Sequence, residues 1–153
     1  MKTQLTKDIL VSEPDGRLVT ICGWVRTKRD SKNLCFIQVN DGSCFATIQL
    51  TFDRENANPN NENIENTLPN VTTGASIKAT GKLIPSPASG QAVEVALETL
   101  EVLGVSPSDY PLQKKGHTVE FLRENSHLRA RTNMFGAVAR MRSEMAFAVH
   151  SFF

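Results

Sequence analysis

Residues 18–50 show a regular alternation of apolar and polar positions, which predicts three consecutive β-strands. A polar loop at 29–33 separates the first two strands, and the segment 40–43 predicts a tight hairpin turn in which Gly42 takes a positive φ. The residues expected to face a core are Val19, Ile21, Gly23 and Val25 in the first strand, Cys35, Ile37 and Val39 in the second, and Cys44, Ala46, Ile48 and Leu50 in the third. The alternation therefore indicates a sheet with one face toward a hydrophobic core.

Short helices are predicted on either side of these strands. The N-terminal segment predicts either an extended lead-in or a brief helix capped by Thr3 or Thr6, followed by a turn. After the strands, the chain is rich in asparagine and has few apolar residues, but Ile64 and Leu68 are spaced one helical turn apart. This spacing predicts one short helix at about residues 60–68.

Two further strands are predicted at 74–84 and 91–103, with a Pro- and Ser-rich turn between them. In the last strand we expect Val93, Val95 and Leu97 to face inward, with Thr99 as a further inward candidate, and Glu94, Ala96, Glu98 and Leu100 to face outward. Five strands with a short helix between the third and the fourth is the layout of an OB-fold barrel, which binds oligonucleotides on the face of its second and third strands. The predicted fold class is therefore mainly β, a five-stranded OB-fold barrel followed by helices.

The chain is predicted to have three parts: a barrel domain at 1–104, a linker at 105–132 and a long helix at 133–153. Within the linker, Thr118 is expected to cap a short helix, and Asn133 is expected to cap the long one. Apolar side chains recur along the long helix at a spacing of three or four, among them Met134, Val138, Met141 and Met145. Because the pattern reaches the last residue without a Gly or Asn stop signal, we expect a longer parent chain.

Composition narrows the function classes without naming one. The 153 residues are 40% hydrophobic with a net charge of +1, and no stretch is apolar enough to cross a membrane. Without an apolar signal segment, the expected compartment is the cytoplasm. Cys22, Cys35 and Cys44 all fall inside predicted strands and show no metal-ligand spacing, so we expect small buried side chains and no metal site.

The polar face of the predicted sheet carries the candidate chemistry. Phe36 and Gln38 on the second strand, and Gln49 on the third, should point away from the core. Cationic side chains lie nearby in the sequence, namely Arg26, Lys28, Arg29 and Lys32. A ring that stacks, an amide that reads an edge and cations that take phosphate suit an unpaired base. The alternative is an ordinary solvated face on which Phe36 covers apolar surface.

Three segments carry a resemblance to a known family: VTICGWVRTKRDSKNLCFIQVNDGS, TTGASIKATGKL and YPLQKKGHTVEFLRENSHLRARTNMFGAVARMRSEMAFAVHSFF. Over about residues 8–153 the chain resembles the asparaginyl-tRNA synthetases, class II enzymes of the aspartate/lysine/asparagine subgroup. The resemblance implies an OB-fold that reads the anticodon of tRNA(Asn), a linker, and the first helix of a catalytic domain. It also implies a parent enzyme that uses ATP and Mg²⁺. The second and third class II motifs are absent here, so we expect this chain alone to need no cofactor and to be inactive.

The resemblance also implies roles for individual residues. Phe36 matches the ring that stacks on the central uridine of the anticodon, and Gln49 matches the amide that bonds the Watson–Crick edge of this base. Arg29 matches a cation at the anticodon loop, and Glu94 matches a carboxylate near the first anticodon base, a guanine. One departure is Ala130, where the family usually has proline.

The long helix corresponds to a dimer-interface helix in class II enzymes, so a homodimer is expected through Met134, Val138, Met141 and Met145. Two alternatives remain open at this stage. The first is an autonomous OB-fold module that binds single-stranded nucleic acid without catalysis. The second is a protein-interaction module that uses the apolar stripe of the long helix.

Overall fold

The computed structural model describes residues 3–56 and 58–153. The chain forms two compact units, with the boundary after Lys114. The first unit contains α1 (Thr6–Ile9), β1 (Leu18–Asp30), β2 (Leu34–Asn40), β3 (Ile48–Asp53), α2 (Asn61–Thr67), a 3-10 turn (Leu68–Asn70), β4 (Ser76–Pro85) and β5 (Val93–Gly104). The second unit contains α3 (Val119–Glu124), a 3-10 turn (Arg129–Arg131) and α4 (Asn133–Phe152).

The five strands of the first unit form a closed barrel in the order β1-β2-β3-β5-β4. All neighbouring strands are antiparallel except β3 and β5, which run parallel. A parallel pair needs a crossover, and the segment that contains α2 lies between β3 and β4 in the chain. This topology confirms the predicted five-stranded OB-fold barrel.

The barrel interior is filled by the alternate apolar residues of the strands. Val19, Ile21, Val25, Cys35, Ile37, Val39, Ile48, Leu50, Val93, Val95 and Leu97 are all buried, as the alternation predicted. The predicted helix after β3 is also confirmed, and Ile64 of α2 and Leu68 of the following 3-10 turn join the same core. At this position the Lys28 Nζ atom donates a hydrogen bond of 2.8 Å to the Leu68 carbonyl, so β1 is tied directly to the end of α2.

The tight hairpin predicted after the second strand is wrong. β2 ends at Asn40 and β3 begins only at Ile48, so Cys44 and Ala46 lie in a loop. The Asn40 side chain organises this loop, because its Nδ2 donates to the carbonyls of Cys44 at 3.0 Å and Ala46 at 2.7 Å. The positive φ expected for Gly42 is present, at 84°. In this loop the Cys44 and Ala46 carbonyls therefore bond the Asn40 side chain, whereas a longer third strand would have paired them with a neighbouring strand.

The cysteines do not all behave as predicted. Cys35 is fully buried inside β2, whereas Cys22 and Cys44 are only partly buried. Cys44 lies outside the core because it belongs to the loop before β3. Within residues 3–56 and 58–153, no cluster of His, Cys, Asp and Glu could hold a metal ion.

A β-bulge in the last strand reverses part of the predicted alternation. Leu97 and Thr99 pair with consecutive residues of β4, so Glu98 between them is the extra residue. Beyond this bulge the sides exchange, and Leu100 is buried while Thr99 is exposed. The outward assignment of Leu100 and the inward candidate Thr99 are therefore both wrong.

The predicted helix caps are partly correct. Thr118 caps α3, and its side chain accepts a hydrogen bond from the backbone N–H of Phe121. The N-cap of α4 is Thr132, not Asn133, which is the first helical residue. Neither Thr3 nor Thr6 caps α1, whose N-cap is Leu5.

The second unit consists mainly of α4. The four apolar residues predicted for its stripe are well exposed, with Met134 at 50%, Val138 at 49%, Met141 at 66% and Met145 at 63%. Gly136 is the buried residue of the helix, and a Cβ here would lie 2.9 Å from the Ala130 carbonyl oxygen. In the described part of the chain no helix is both long and apolar enough to span a membrane.

Candidate nucleic-acid interface

A row of polar side chains crosses four strands on the outer face of the barrel; we call Thr27, Gln38, Gln49 and Glu94 the polar row. The strand registers pair Thr27 with Gln38 and Gln38 with Gln49. The Thr27 hydroxyl donates to the Gln38 Oε1 atom at 3.0 Å, and the Gln49 Nε2 atom donates to the Glu94 Oε2 atom at 3.1 Å. Both ends of the row are thus fixed by hydrogen bonds between neighbouring strands.

A second row lies beside the first; we call Arg29, Phe36, Thr51 and Ala96 the aromatic row. Phe36 pairs with Arg29 across β1 and β2 and with Thr51 across β2 and β3, and Thr51 pairs with Ala96 of β5. The Arg29 guanidinium carbon lies 5.9 Å from the centre of the half-buried Phe36 ring. Because alternate residues of one strand share a face, Phe36 and Gln38 lie side by side, as the sequence predicted.

Glu94 belongs to a buried cluster of hydrogen bonds, although it lies on the outer side of the strand. It is 4% exposed and Gln49 is 6% exposed. Besides Gln49, the Glu94 Oε2 atom accepts from the Ser86 Oγ atom at 3.2 Å and from the Gln91 Nε2 atom at 3.3 Å. Ser86 and Gln91 lie in the β4–β5 loop, so this loop covers one end of the polar row.

The four candidate cations take different positions. Arg29 and Lys32 are exposed, Arg29 at the end of β1 and Lys32 in the turn that follows. Lys28 pairs with Ile37, on the side opposite to Phe36, and its ammonium group bonds the Leu68 carbonyl. Arg26 is the extra residue at a register shift in β1 and is partly buried. Of these cations, Arg29 is the one whose guanidinium is placed over the Phe36 ring.

Arg54, which the sequence analysis did not single out, holds the β1–β2 turn in place. Its guanidinium bonds Glu65 of α2, the Asp30 carboxylate at 2.9 Å and the Ser31 carbonyl at 2.6 Å. The hydrogen bonds that Arg54 donates to Glu65 and Asp30 raise the pKa of its guanidinium above the ordinary value. The sequence did not indicate this role for Arg54. Its partners Asp30, Ser31 and Glu65 are far from it in the chain, so no local pattern relates them.

Ser86, Gln91 and Thr27 were also missed as residues that orient the candidate site. Thr27 was missed because the alternation of residues 19, 21, 23 and 25 places it on the core side, and only the register shift at Arg26 turns it to the outer face. Ser86 and Gln91 were missed because their role depends on how the β4–β5 loop returns over Glu94. Loops carry no periodicity from which a facing direction can be read.

Comparison with known proteins agrees with this geometry. Residues 19–103 match the model of a family described as "OB-fold nucleic acid binding domain". The chain is 57% identical over 150 residues to the asparagine–tRNA ligase of Treponema denticola, covering 97% of this chain and 31% of that protein. It is 54% identical over 136 residues to the asparagine–tRNA ligase of Cytophaga hutchinsonii, covering 88% of this chain and 28% of that one. The chain thus spans about a third of the length of these relatives.

Solved structures share the fold at low sequence identity. The crystal structure of asparaginyl-tRNA synthetase from Pyrococcus horikoshii matches with a TM-score of 0.78 at 20% identity, covering 99% of this chain and 35% of that chain. An "OBody" bound to hen egg-white lysozyme matches with a TM-score of 0.59 at 18% identity, covering 69% of this chain and 98% of that chain. Since the family model spans more than half of the sequence and the barrel has the corresponding topology, the chain belongs to the family of OB-fold nucleic acid binding domains.

Proposed function

We propose that the barrel binds the anticodon loop of tRNA(Asn), as part of an enzyme that attaches asparagine to this tRNA. The observation that carries the proposal is the adjacency of the aromatic row and the polar row on one outer face. A stacking ring beside amide and carboxylate groups is the arrangement by which proteins recognise unpaired bases. The names of the similar ligases support tRNA(Asn), whose anticodon GUU contains two uridines after a guanine.

In this proposal Phe36 stacks on the central uridine. Stacking of a base on an aromatic side chain is worth about 1–3 kcal/mol and works with any base, so Phe36 supplies affinity rather than selectivity. Arg29 lies at the ring and is exposed, so its guanidinium can meet the phosphate or a base edge of the same loop. Lys32 in the adjacent turn and Arg26 at the strand irregularity are further candidates for phosphate contacts, whereas the Lys28 ammonium group is already bonded to a carbonyl.

Selectivity is assigned to the polar row. Gln49 would bond the Watson–Crick edge of the central uridine. Glu94 would accept hydrogen bonds from N1–H and N2–H₂ of the first base, a guanine, whereas adenine has no hydrogen at N1 to donate. The Glu94 Oε2 atom is already occupied by three donors, so its Oε1 atom is the one assigned to this guanine.

The catalytic steps are assigned to the remainder of the parent enzyme. We infer that asparagine, ATP and Mg²⁺ bind outside this chain and that these residues by themselves do not form Asn-tRNA(Asn). The α4 stripe of Met134, Val138, Met141 and Met145 is proposed as part of a homodimer interface, because its apolar side chains are exposed. Charging of this tRNA would take place in the cytoplasm.

The test is a fluorescence anisotropy titration of the chain with three RNAs at low and moderate salt. One is a hairpin with the loop anticodon GUU, the second has the central U changed to C, and the third is a scrambled single strand. We expect GUU to bind best and the central change to cost about 1–3 kcal/mol. Equal binding of all three would favour the autonomous single-strand module, and absence of binding to all three would contradict the proposal.

Single substitutions test separately what the aromatic row and the polar row contribute to RNA binding. Phe36→Ala should weaken binding to the GUU and GCU hairpins alike, because stacking does not read the base. Gln49→Ala should remove the preference for U over C and leave the fold intact. Phe147→Ala is the matched control, since this aromatic side chain is 72% exposed on α4 in the other unit. A loss of binding in the control equal to that of Phe36→Ala would argue against a specific stacking role for Phe36.

A further inference from the structure

We propose that Glu94 fixes the orientation of the Gln49 amide, so that Gln49 presents its oxygen to the central base and thereby selects uracil over cytosine. This inference rests on the proposed function. It makes Glu94 a positioning residue for a base that it does not itself touch. The two residues are 45 positions apart in the chain and meet only because β3 and β5 are neighbours in the barrel.

The first step is the polarity of the Gln49–Glu94 contact. A carboxylate oxygen has no hydrogen to donate, so the amide group that faces it must be the NH₂ group. A rotation of the amide by half a turn would bring the Gln49 Oε1 atom against the Glu94 Oε2 atom, two acceptors with no hydrogen between them. Both side chains are more than nine-tenths buried, so water cannot readily compensate for this loss.

The second step is that Glu94 is itself held in place. Its Oε2 atom receives three donors, the Gln49 and Gln91 side-chain amides and the Ser86 hydroxyl, at 3.1, 3.3 and 3.2 Å. Gln91 also donates to the Ser86 Oγ atom at 2.9 Å. These donors approach the same oxygen from β3 and from both sides of the β4–β5 loop, so the position of the carboxylate is set before any RNA binds.

The third step is what the fixed amide leaves available. Within the described residues the Gln49 Oε1 atom accepts no hydrogen bond, and it is not among the fully buried polar atoms that lack a partner. This oxygen is therefore not fully enclosed and keeps a small accessible surface on the face that carries Phe36. At the proposed site it acts as an acceptor only, because the NH₂ group of the same amide is engaged by Glu94.

A fixed acceptor distinguishes the two pyrimidines at one atom. Uracil carries a hydrogen on N3 and can donate it to the Gln49 Oε1 atom, whereas N3 of cytosine carries a lone pair that repels this oxygen. An amide that is free to rotate would accommodate both bases, since it offers its oxygen to uracil and its NH₂ group to cytosine. The preference for uracil therefore requires the amide to be held, and Glu94 is the residue that holds it.

The experiment compares the GUU and GCU hairpins on four forms of the full chain. The wild type should prefer GUU by about tenfold, the size expected for one well-formed base contact. Glu94→Leu should lower this ratio to about threefold or less, because the amide then rotates to suit cytosine. Glu94→Gln should keep the ratio, since the oxygen of the new amide can still accept from the three donors. Glu101→Leu is the control, an exposed carboxylate of the same strand that pairs with Lys78.

The ratio of GUU to GCU affinity distinguishes positioning of Gln49 from a general structural role of Glu94. A loss of the fold or of the guanine contact would weaken binding of both hairpins equally. A wild type without any preference for GUU would contradict the proposed function itself. A wild type that prefers GUU, together with a Glu94→Leu variant that keeps the full preference, would overturn only the present inference.

A second measurement keeps the inference testable if Glu94→Leu does not fold. In the free wild-type chain, nuclear magnetic resonance should show one Gln49 side-chain amide hydrogen protected from exchange with solvent. The same protection should persist in Glu94→Gln. Rapid exchange of both Gln49 amide hydrogens in the wild type would overturn the inference without any RNA experiment.

Discussion

The Asp41 carboxylate accepts a hydrogen bond of 2.8 Å from the backbone N–H of Thr6, and so caps a helix that begins 35 residues earlier in the chain. Its other oxygen accepts from the backbone N–H of Ser43 at 2.9 Å and from the Ser43 hydroxyl at 2.6 Å. The Ser43 Oγ atom in turn accepts from the N–H of Lys7 at 3.1 Å. The loop before β3 therefore supplies the cap that α1 lacks in its own sequence.

Asp41→Ala should destabilise the first unit by about 1 kcal/mol, the usual cost of losing a helix N-cap. Burial alone would raise the pKa of Asp41, but the hydrogen bonds from Ser43 and Thr6 outweigh burial and lower it. The contribution is therefore complete above the pKa of the unfolded chain, about 3.9, and is lost as the pH falls through the lower pKa of the folded protein. Urea unfolding at neutral and acidic pH measures both effects.

The control for this prediction is Asp109→Ala, which removes an exposed carboxylate outside the regular elements. We expect its free energy of unfolding to match that of the wild type within about 0.5 kcal/mol. An equal loss of stability in both variants would show that the cap contributes nothing specific, and a stability difference that persists below the folded pKa of Asp41 would contradict the assigned pH dependence.

Arg54→Lys should destabilise the first unit by about 1–3 kcal/mol, because an ammonium group cannot reproduce the fork that reaches Glu65, Asp30 and the Ser31 carbonyl together. The Arg54 side chain is 23% exposed, whereas the Asp30 and Glu65 side chains are 40% and 41% exposed, so water compensates these carboxylates in part and the loss should lie toward the lower end of this range. Lys82→Met is the matched control, since Lys82 is 59% exposed in its pair with Glu98 and such pairs contribute little. Urea midpoints that shift equally in the two variants would refute this ranking.

Cys35 should react with iodoacetamide far more slowly than Cys22 or Cys44 in the folded chain. Burial, together with the nearby Asp30 carboxylate, raises the pKa of the Cys35 thiol to about 11. Because the thiolate is the reacting form, both its low population and its burial slow the reaction. Mass spectrometry of peptides after timed alkylation at pH 8 measures this order, and in urea all three cysteines should react at similar rates. Early labelling of Cys35 without denaturant would contradict the buried position of this thiol.

The α4 stripe should drive self-association of the chain. Met141 and Met145 are among the exposed apolar residues of this helix, and continuous apolar surface of this kind favours contact with a second molecule. Sedimentation velocity at tens of micromolar should show dimers or larger species, and the double variant Met141→Glu, Met145→Glu should sediment as a monomer. Arg142→Glu changes the charge of an exposed residue between them and serves as the control. A monomeric wild type would contradict the proposed interface.

The sequence by itself determined the parts of the molecule that depend on local periodicity. Alternation placed Val19, Ile37 and Val95 inside the barrel, and a helical spacing placed Ile64 in the short helix that packs against it. The same alternation put Phe36 and Gln38 together on the outer face. These predictions succeeded because the facing direction of a residue in a regular strand or helix follows from its position alone.

Only the tertiary structure decided what breaks this periodicity or crosses it. The bulge at Glu98 moved Leu100 into the core, and a two-residue period cannot foresee an inserted residue. Closure of the barrel brought Gln49 against Glu94, and the loop before β3 brought Asp41 to Thr6. Hydrogen bonds of this kind join groups that no local pattern relates, because their distance is set by strand pairing and loop return rather than by their separation in the sequence.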